Sequence, residues 1–168
     1  HSTHPIALFD RIHSDEWRSQ IENLRSMDKR QYDREKKSLP AVTWSGEFKH
    51  RSKSNLIQHS GLLCLDFDGV DIEMIRAAFQ AEPWTYATFV SPSGHGVKVL
   101  IRIDGSKHEA TFDALQEWSV ENIGVAPDRS GRDVSRLCFV SWDPDAWINP
   151  GATVYEVGDV EPEPSAKP

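Results

Sequence analysis

Cysteine is scarce in this chain: two in 168 residues, Cys64 and Cys138, each inside a short apolar run. They form no CxxC pair and no disulfide framework, which excludes a disulfide-stapled scaffold and suggests a reducing, cytoplasmic setting. No apolar run is long enough to span a bilayer, and no amino-terminal stretch has the order of a signal peptide, so no membrane partner is expected. There is no GxxxxGK[ST] loop and no GxSxG elbow, so the chain is neither a P-loop NTPase nor a serine hydrolase of that type. Seven histidines occur, but none forms an HxH or HxxxH pair; His50, His59, His95 and His108 lack metal-ligand spacing. The chain opens on His1 rather than Met, as expected of a domain taken from a longer polypeptide.

Apolar residues make up 38% of the chain, with six Trp and seven Phe, which is enough to build a core. The formal net charge is −7 and is unevenly spread. Residues 11–53 hold 11 basic and 7 acidic side chains, a local excess of positive charge, and the remainder is acidic. A basic amino-terminal module beside an acidic body fits phosphate contacts on one side and metal-binding carboxylates on the other.

Three segments are expected. Residues 1–60 form a basic α/β module, 61–155 the main body, and 156–168 an acidic, Pro-containing linker. In the first, residues 14–28 read as an amphipathic helix capped by Ser14, with Trp17, Ile21, Leu24 and Met27 on one face. The charged stretch 28–37 continues it until Pro40. Residues 41–48 read as a short strand and turn with Gly46 at the bend, and 51–60 as loop or short helix.

The main body is more regular. Strands are expected at 62–67, 84–90, 97–103 and 136–141, and helices at 71–80 and 107–122. The order β-α-β-β-α-β is that of an α+β, RRM/ferredoxin-like fold, an antiparallel sheet with both helices on one face. Its first and third strands lie side by side at the sheet centre.

Asp66 and Asp68 stand two apart at the end of the first strand, so period two sends both carboxylates to one face. Two adjacent carboxylates repel unless a cation sits between them, so they are candidate ligands for Mg²⁺ or Mn²⁺. Lys98 and Arg102 on the third strand are expected on the same face. The turn Ser93-Gly94-His95-Gly96 can bring backbone amides to an anion. Asp128 or Asp133 can add a third carboxylate, and Arg136 a phosphate contact. Together these groups suit a nucleoside triphosphate.

From about Lys36 to Pro150 the sequence resembles the primase-polymerase branch of the archaeo-eukaryotic primase superfamily, specifically the amino-terminal domain of virulence-associated E-like proteins of bacteria and phages. The matching stretches are KSLPA (37–41), SGEF (45–48), HSGLLCLDFD (59–68), SPSGHGVK (91–98) and the run from Asp128 through RLCFVSWDP (136–144). The resemblance implies a DxD metal motif at Asp66 and Asp68. Lys98 occupies the place of the family's second-motif His, and Asp128 fits the third motif better than Asp133. It implies an RRM-like catalytic core behind an α/β module, and template-directed nucleotidyl transfer with two divalent ions held by Asp66, Asp68 and Asp128. Ser93, Gly94, His95, Gly96, Lys98 and Arg136 would bind the nucleotide. Lys36, Lys37, Arg51 and Lys53 would contact template or triphosphate. The partners implied are single-stranded or primed DNA, nucleoside triphosphates and a helicase-type ATPase domain downstream in the same polypeptide, in a bacterial or phage-infected cell. A non-catalytic nucleic-acid-binding module is the alternative from another class, and a nucleotidyl cyclase a third reading.

Overall fold

In a computed structural model, which describes residues 4–157, the chain is α+β. Residues 158–168, most of the expected linker, lie outside the described residues.

Three short helices open the chain. In α1 (Pro5–His13) the imidazole of His4 accepts the Ile6 amide and Pro5 starts the helix, while Leu8, Phe9 and Ile12 are buried. Nothing in the sequence analysis anticipated this helix. A 3₁₀ turn at Asp15–Trp17, capped by Ser14, leads into α2 (Arg18–Arg25), which buries Ile21 and Leu24. The expected continuous helix is broken. Asp28 takes an extended backbone, its carboxylate accepts the Gln31 amide, and α3 (Lys29–Glu35) starts anew.

Two small antiparallel ladders follow. β1 (Ala41–Val42) pairs with β7 (Cys138–Phe139), and β2 (Gly46–Phe48) with β3 (Leu56–His59). Gly46 is therefore not a bend but a strand residue opposite His59, where an added Cβ would lie 2.4 Å from the Gln58 carbonyl oxygen. The stretch 51–60, expected as loop or short helix, holds a 3₁₀ turn at Lys53–Asn55 and then β3.

The principal sheet comprises β4 (Leu62–Asp68), β5 (Thr85–Val90), β6 (Gly96–Arg102) and β8 (Trp147–Ile148), all antiparallel, in the order β4-β6-β5-β8. The helices α4 (Ile72–Gln80) and α5 (His108–Ile123) pack Ile75, Phe79, Phe112 and Leu115 against Leu63, Leu65, Phe67, Val97, Val99 and Ile101 on one face. Asp71 caps α4, and Gly124 ends α5 at φ 77°. On the opposite face, Leu8, Phe9, Ile12, Ile21 and Leu24 of the amino-terminal helices share a core with Leu62, Phe89, Leu100, Cys138 and Val140. No helix among the described residues is long and apolar enough to cross a membrane.

The first five elements of the expected order are present, but the sixth is displaced. β7 leaves the main sheet and pairs with β1 instead. The outer edge of β4 is met by the loop that starts at Asp128, whose amide donates to the Asp66 carbonyl at 2.7 Å. β4 is thus a terminal strand, not a central one; the expected adjacency of β4 and β6 holds in an unbroken seven-residue register.

Candidate metal centre

Alternation along β4 points Leu63, Leu65 and Phe67 at the helices and leaves Cys64, Asp66 and Asp68 on the other face. Antiparallel register sets Asp66 directly opposite Lys98 and Asp68 opposite Gly96. The third carboxylate arrives by a turn. Asp128 precedes a 3₁₀ segment, Arg129–Arg132, and its side chain accepts the Ser130 amide at 2.9 Å. One carboxylate oxygen from each of Asp66, Asp68 and Asp128 lies within 4.8 Å of the others. That is the spacing at which one hard cation can be shared by oxygen ligands.

The electrostatics are uneven. Asp66 is buried, and its Oδ2 accepts a hydrogen bond from Lys98 Nζ, also buried. Its Oδ1 is shielded from solvent and has no hydrogen-bond partner. A buried carboxylate oxygen without a partner is costly unless something cationic completes it. Asp68 is more exposed, yet its carboxyl is pushed up by partial burial and by the charges of Asp66 and Asp128. The Ser130 amide holds the Asp128 carboxyl below its ordinary value, with Arg136 and Lys98 adding to the effect. Burial alone would lower the Lys98 ammonium, but Cys138, Asp66 and Cys64 outweigh it and the net shift is upward. Lys98 therefore stays charged. Three carboxylates and one ammonium leave two negative charges, which one divalent ion balances; a second ion would need ligands from a phosphate-bearing substrate.

Gly96 is where β6 touches β4 most closely: an added Cβ would meet the Phe67 carbonyl oxygen at 2.4 Å and Asp68 Oδ1 at 2.9 Å. The turn before it is not an open amide cradle. The Ser91 amide bonds Gly96 O, the Gly94 amide bonds Ser91 O, and the His95 amide bonds Ser93 Oγ. His95 is exposed, and its carbonyl accepts the Gly69 amide, closing the turn after β4. Arg136 is exposed at the rim of a small cavity shared with Asp66, Lys98, Cys64 and Cys138. Asp133 stands apart from the carboxylate cluster and caps Ser135 through its amide and hydroxyl. Arg102 lies at the far end of β6, opposite Leu62, with its guanidinium over Tyr86; it does not join the carboxylates as expected. Among the basic residues, Lys53 is paired with Glu109, Lys36 with Asp33, and the charge of Arg51 acts on Asp133.

Tyr32 escaped the sequence reading. From α3 its hydroxyl interacts with Ser93, close enough to the centre for Lys98 and Asp68 to act on its acidity; partial burial is the main influence and pushes it up. Lys36 sits over its ring at 5.1 Å. The i, i+4 spacing of Tyr32 and Lys36 marks a shared helix face, but nothing in the sequence says that this face looks at the metal centre. A larger cleft, about 630 Å³, lies between α1 and the β2–β3 ladder and includes Lys49, His50 and Arg51; it shares Trp44 and Leu137 with the small cavity.

Residues 34–147 match the family described as BT4734-like, N-terminal domain. The chain belongs to that family. This corrects the resemblance drawn from the motifs: the BT4734-like family is a different one, and no primase-polymerase family matches. DxD and a Gly-containing turn are short polar signals at strand ends, and the same sheet geometry generates them in unrelated proteins. No curated protein and no solved structure matches the chain. The BT4734-like match runs from the end of α3 to the start of β8, so it includes Asp66, Asp68, Lys98 and Asp128 and leaves out α1, α2 and most of α3, including Tyr32.

Proposed function

We propose that this domain is a divalent-metal-dependent nucleotidyl transferase that extends a DNA strand on a template. The observation that carries the reading is Asp66 Oδ1, a buried carboxylate oxygen without a hydrogen-bond partner inside a cluster of three carboxylates. An oxygen-only donor set beside a lysine suits Mg²⁺ or Mn²⁺ and the phosphates that accompany them. Bound there, the ion would polarise a phosphoryl oxygen and lower the charge repulsion against an attacking hydroxyl. The chain's own part is positional. Asp66 and Asp128 are fixed to each other through the backbone, Lys98 keeps a positive charge against the developing negative charge, and exposed Arg136 can reach a phosphate tail. Tyr32 and the basic cleft at Lys49–Arg51 border the same region and would contact sugar or strand. The partners that follow from this reading are single-stranded or primed DNA and nucleoside triphosphates.

The test is incorporation of labelled nucleotide on a single-stranded template with Mn²⁺ or Mg²⁺, with and without primer. Template-dependent products that disappear in Asp128→Asn are expected. No product with either ion, from protein shown by titration to bind Mn²⁺, overturns the transferase reading. One observation favours a second reading, a nucleic-acid-binding module without catalysis: Lys98 already neutralises Asp66 directly. On that reading, single-stranded DNA binds equally well with and without the metal.

A further inference from the structure

Asp128 reaches the carboxylate cluster at the head of a four-residue 3₁₀ segment, Arg129–Arg132, that belongs to none of the sheets. So short a segment has no ladder of its own to fix it. Its start is tied to β4 by the Asp128 amide on the Asp66 carbonyl at 2.7 Å, and the Gly131 amide closes the turn on the Asp128 carbonyl at 3.2 Å. Its end is held from the other side, by the first two turns of α5. His108 Nε2 lies 3.4 Å from the Gly131 carbonyl oxygen. Arg132 donates to both Asp113 oxygens at 2.9 and 3.0 Å and to Glu109 at 2.8 Å.

These two anchors differ in kind. The Arg132 pairs are partly exposed, so water screens them. His108 is only 6% exposed, and its hydrogen bond is sheltered. The ring is itself oriented. Gly61 N–H donates to His59 Nδ1 at 2.9 Å, so His59 carries its proton on Nε2, which lies 3.0 Å from His108 Nδ1. His108 Nδ1 accepts that proton's bond, and the His108 proton therefore sits on Nε2, facing Gly131. The hydrogen bonds run one way, from the main chain just before β4, through two rings, to the turn that carries Asp128. Neither end is slack: a Cβ added at Gly105 would lie 2.4 Å from His59 Cγ, and one at Gly131 would lie 2.8 Å from the Cys64 carbonyl oxygen.

We propose that His108 is a positioning residue of the metal centre: by donating to the Gly131 carbonyl, with its ring set by His59, it fixes the turn that presents the Asp128 carboxylate to the cation. The proposal rests on the metal reading of Asp66, Asp68 and Asp128. His108 is not a member of the carboxylate cluster and acts through the backbone. Asp66 and Asp68 stand on a strand whose register β6 already fixes, so Asp128 is the ligand that depends on His108. Loss of the bond weakens the centre by one ligand of three and leaves the other two in place.

The experiment compares His108→Gln with His108→Phe at neutral pH, reading Mn²⁺ affinity by calorimetric titration and the exchange protection of the Asp128 amide by NMR. Gln offers a carbonyl oxygen to His59 and an amide to Gly131, spaced much as the two ring nitrogens are. Phe fills the space of the ring and offers neither. In His108→Phe, Mn²⁺ affinity should fall about tenfold, the scale on which groups behind metal ligands act. The Asp128 amide should lose protection by about tenfold or more, while the amides of the interior strand β6 keep theirs, which separates a loosened turn from a loosened fold. His108→Gln should match the native chain in both readouts. Equal losses in the two variants, no loss in His108→Phe, or equal loss of protection at Asp128 and along β6 overturns the proposal. If His108→Phe does not fold, His59→Phe takes its place, because it removes the donor that sets the His108 ring; unchanged protection of the Asp128 amide there overturns the proposal. If the native chain binds no Mn²⁺, the metal reading falls, while exchange of the Asp128 amide still decides whether His108 holds the turn.

Discussion

The main-chain amide of Asp128 donates to the main-chain carbonyl of Asp66 at 2.7 Å. This bond puts the Asp128 turn on the edge of β4 where a further strand of the expected fold would have paired. It also sets the third carboxylate beside the first two by backbone geometry, independent of side-chain rotamers.

Asp68 carries the strained charge. Its carboxyl is pushed up by burial and by Asp66 and Asp128, so ionisation there costs folding free energy when no cation is bound. Asp68→Asn should raise the stability of the metal-free chain by about 0.5 kcal/mol, since water screens the repulsion at this exposed position. The same change should weaken Mn²⁺ binding at least about tenfold. Urea melts with and without Mn²⁺ check both; a variant less stable without metal would show that the carboxylates do not repel as described.

Lys98→Met removes the partner of Asp66 and leaves a buried carboxylate uncompensated. A loss of about 3–5 kcal/mol is expected. Adding Asp66→Leu to Lys98→Met should recover most of it, because the pair is then replaced by apolar groups. Chemical denaturation of the single and double variants is the measurement, and a double variant no better than Lys98→Met would contradict the pairing.

Gly96→Ala should separate fold from site. The new Cβ would lie 2.4 Å from the Phe67 carbonyl oxygen and 2.9 Å from Asp68 Oδ1, so β6 must move off the end of β4. The expected cost is about 1–3 kcal/mol. Mn²⁺ affinity should drop with it, whereas Gly69→Ala, with nothing within 4 Å of its Cβ, should strain only the local backbone at φ 63°. Calorimetric titration with Mn²⁺ distinguishes the two.

His59 and His108 give the fold a pH dependence. Gly61 N–H donates to His59 Nδ1 at 2.9 Å, His59 Nε2 lies 3.0 Å from His108 Nδ1, and His108 Nε2 lies 3.4 Å from the Gly131 carbonyl. Because the Gly61 amide takes His59 Nδ1, the ring proton sits on Nε2, and the chain closes only with both rings neutral. Burial and then His108 hold His59 down to about 4, with Asp104 opposing; burial also lowers His108, against Gly131, Glu109 and Asp133. Between pH 6.5 and about 4 the unfolded chain takes up a proton that folded His59 refuses, so stability is full above 6.5 and falls as pH drops through that window. His59→Phe should flatten this slope in urea midpoints; an unchanged slope would place the titration elsewhere.

Much of the architecture was legible in the sequence, and the reason is periodicity. Alternating residues gave β4 and β6, helical spacing gave α4 and α5, and the two Asp at i and i+2 had to share a face. What failed depended on partners distant in sequence. Asp28 is an ordinary charged residue until its carboxylate caps a new helix, and α1 shows only the start at Pro5 and the Leu8, Phe9, Ile12 spacing. The run at 136–141 has a strand's composition, but composition does not choose between β4 and β1 as its neighbour. Asp128 and Asp133 are equivalent by type; the turn and its bond to Asp66 bring the first into the centre and leave the second capping Ser135. Tyr32 and the Lys98–Asp66 pair are likewise products of packing. Local pattern determines which face a side chain takes, because it is fixed by backbone geometry; which groups meet on that face is decided by long-range burial, which only the folded chain expresses.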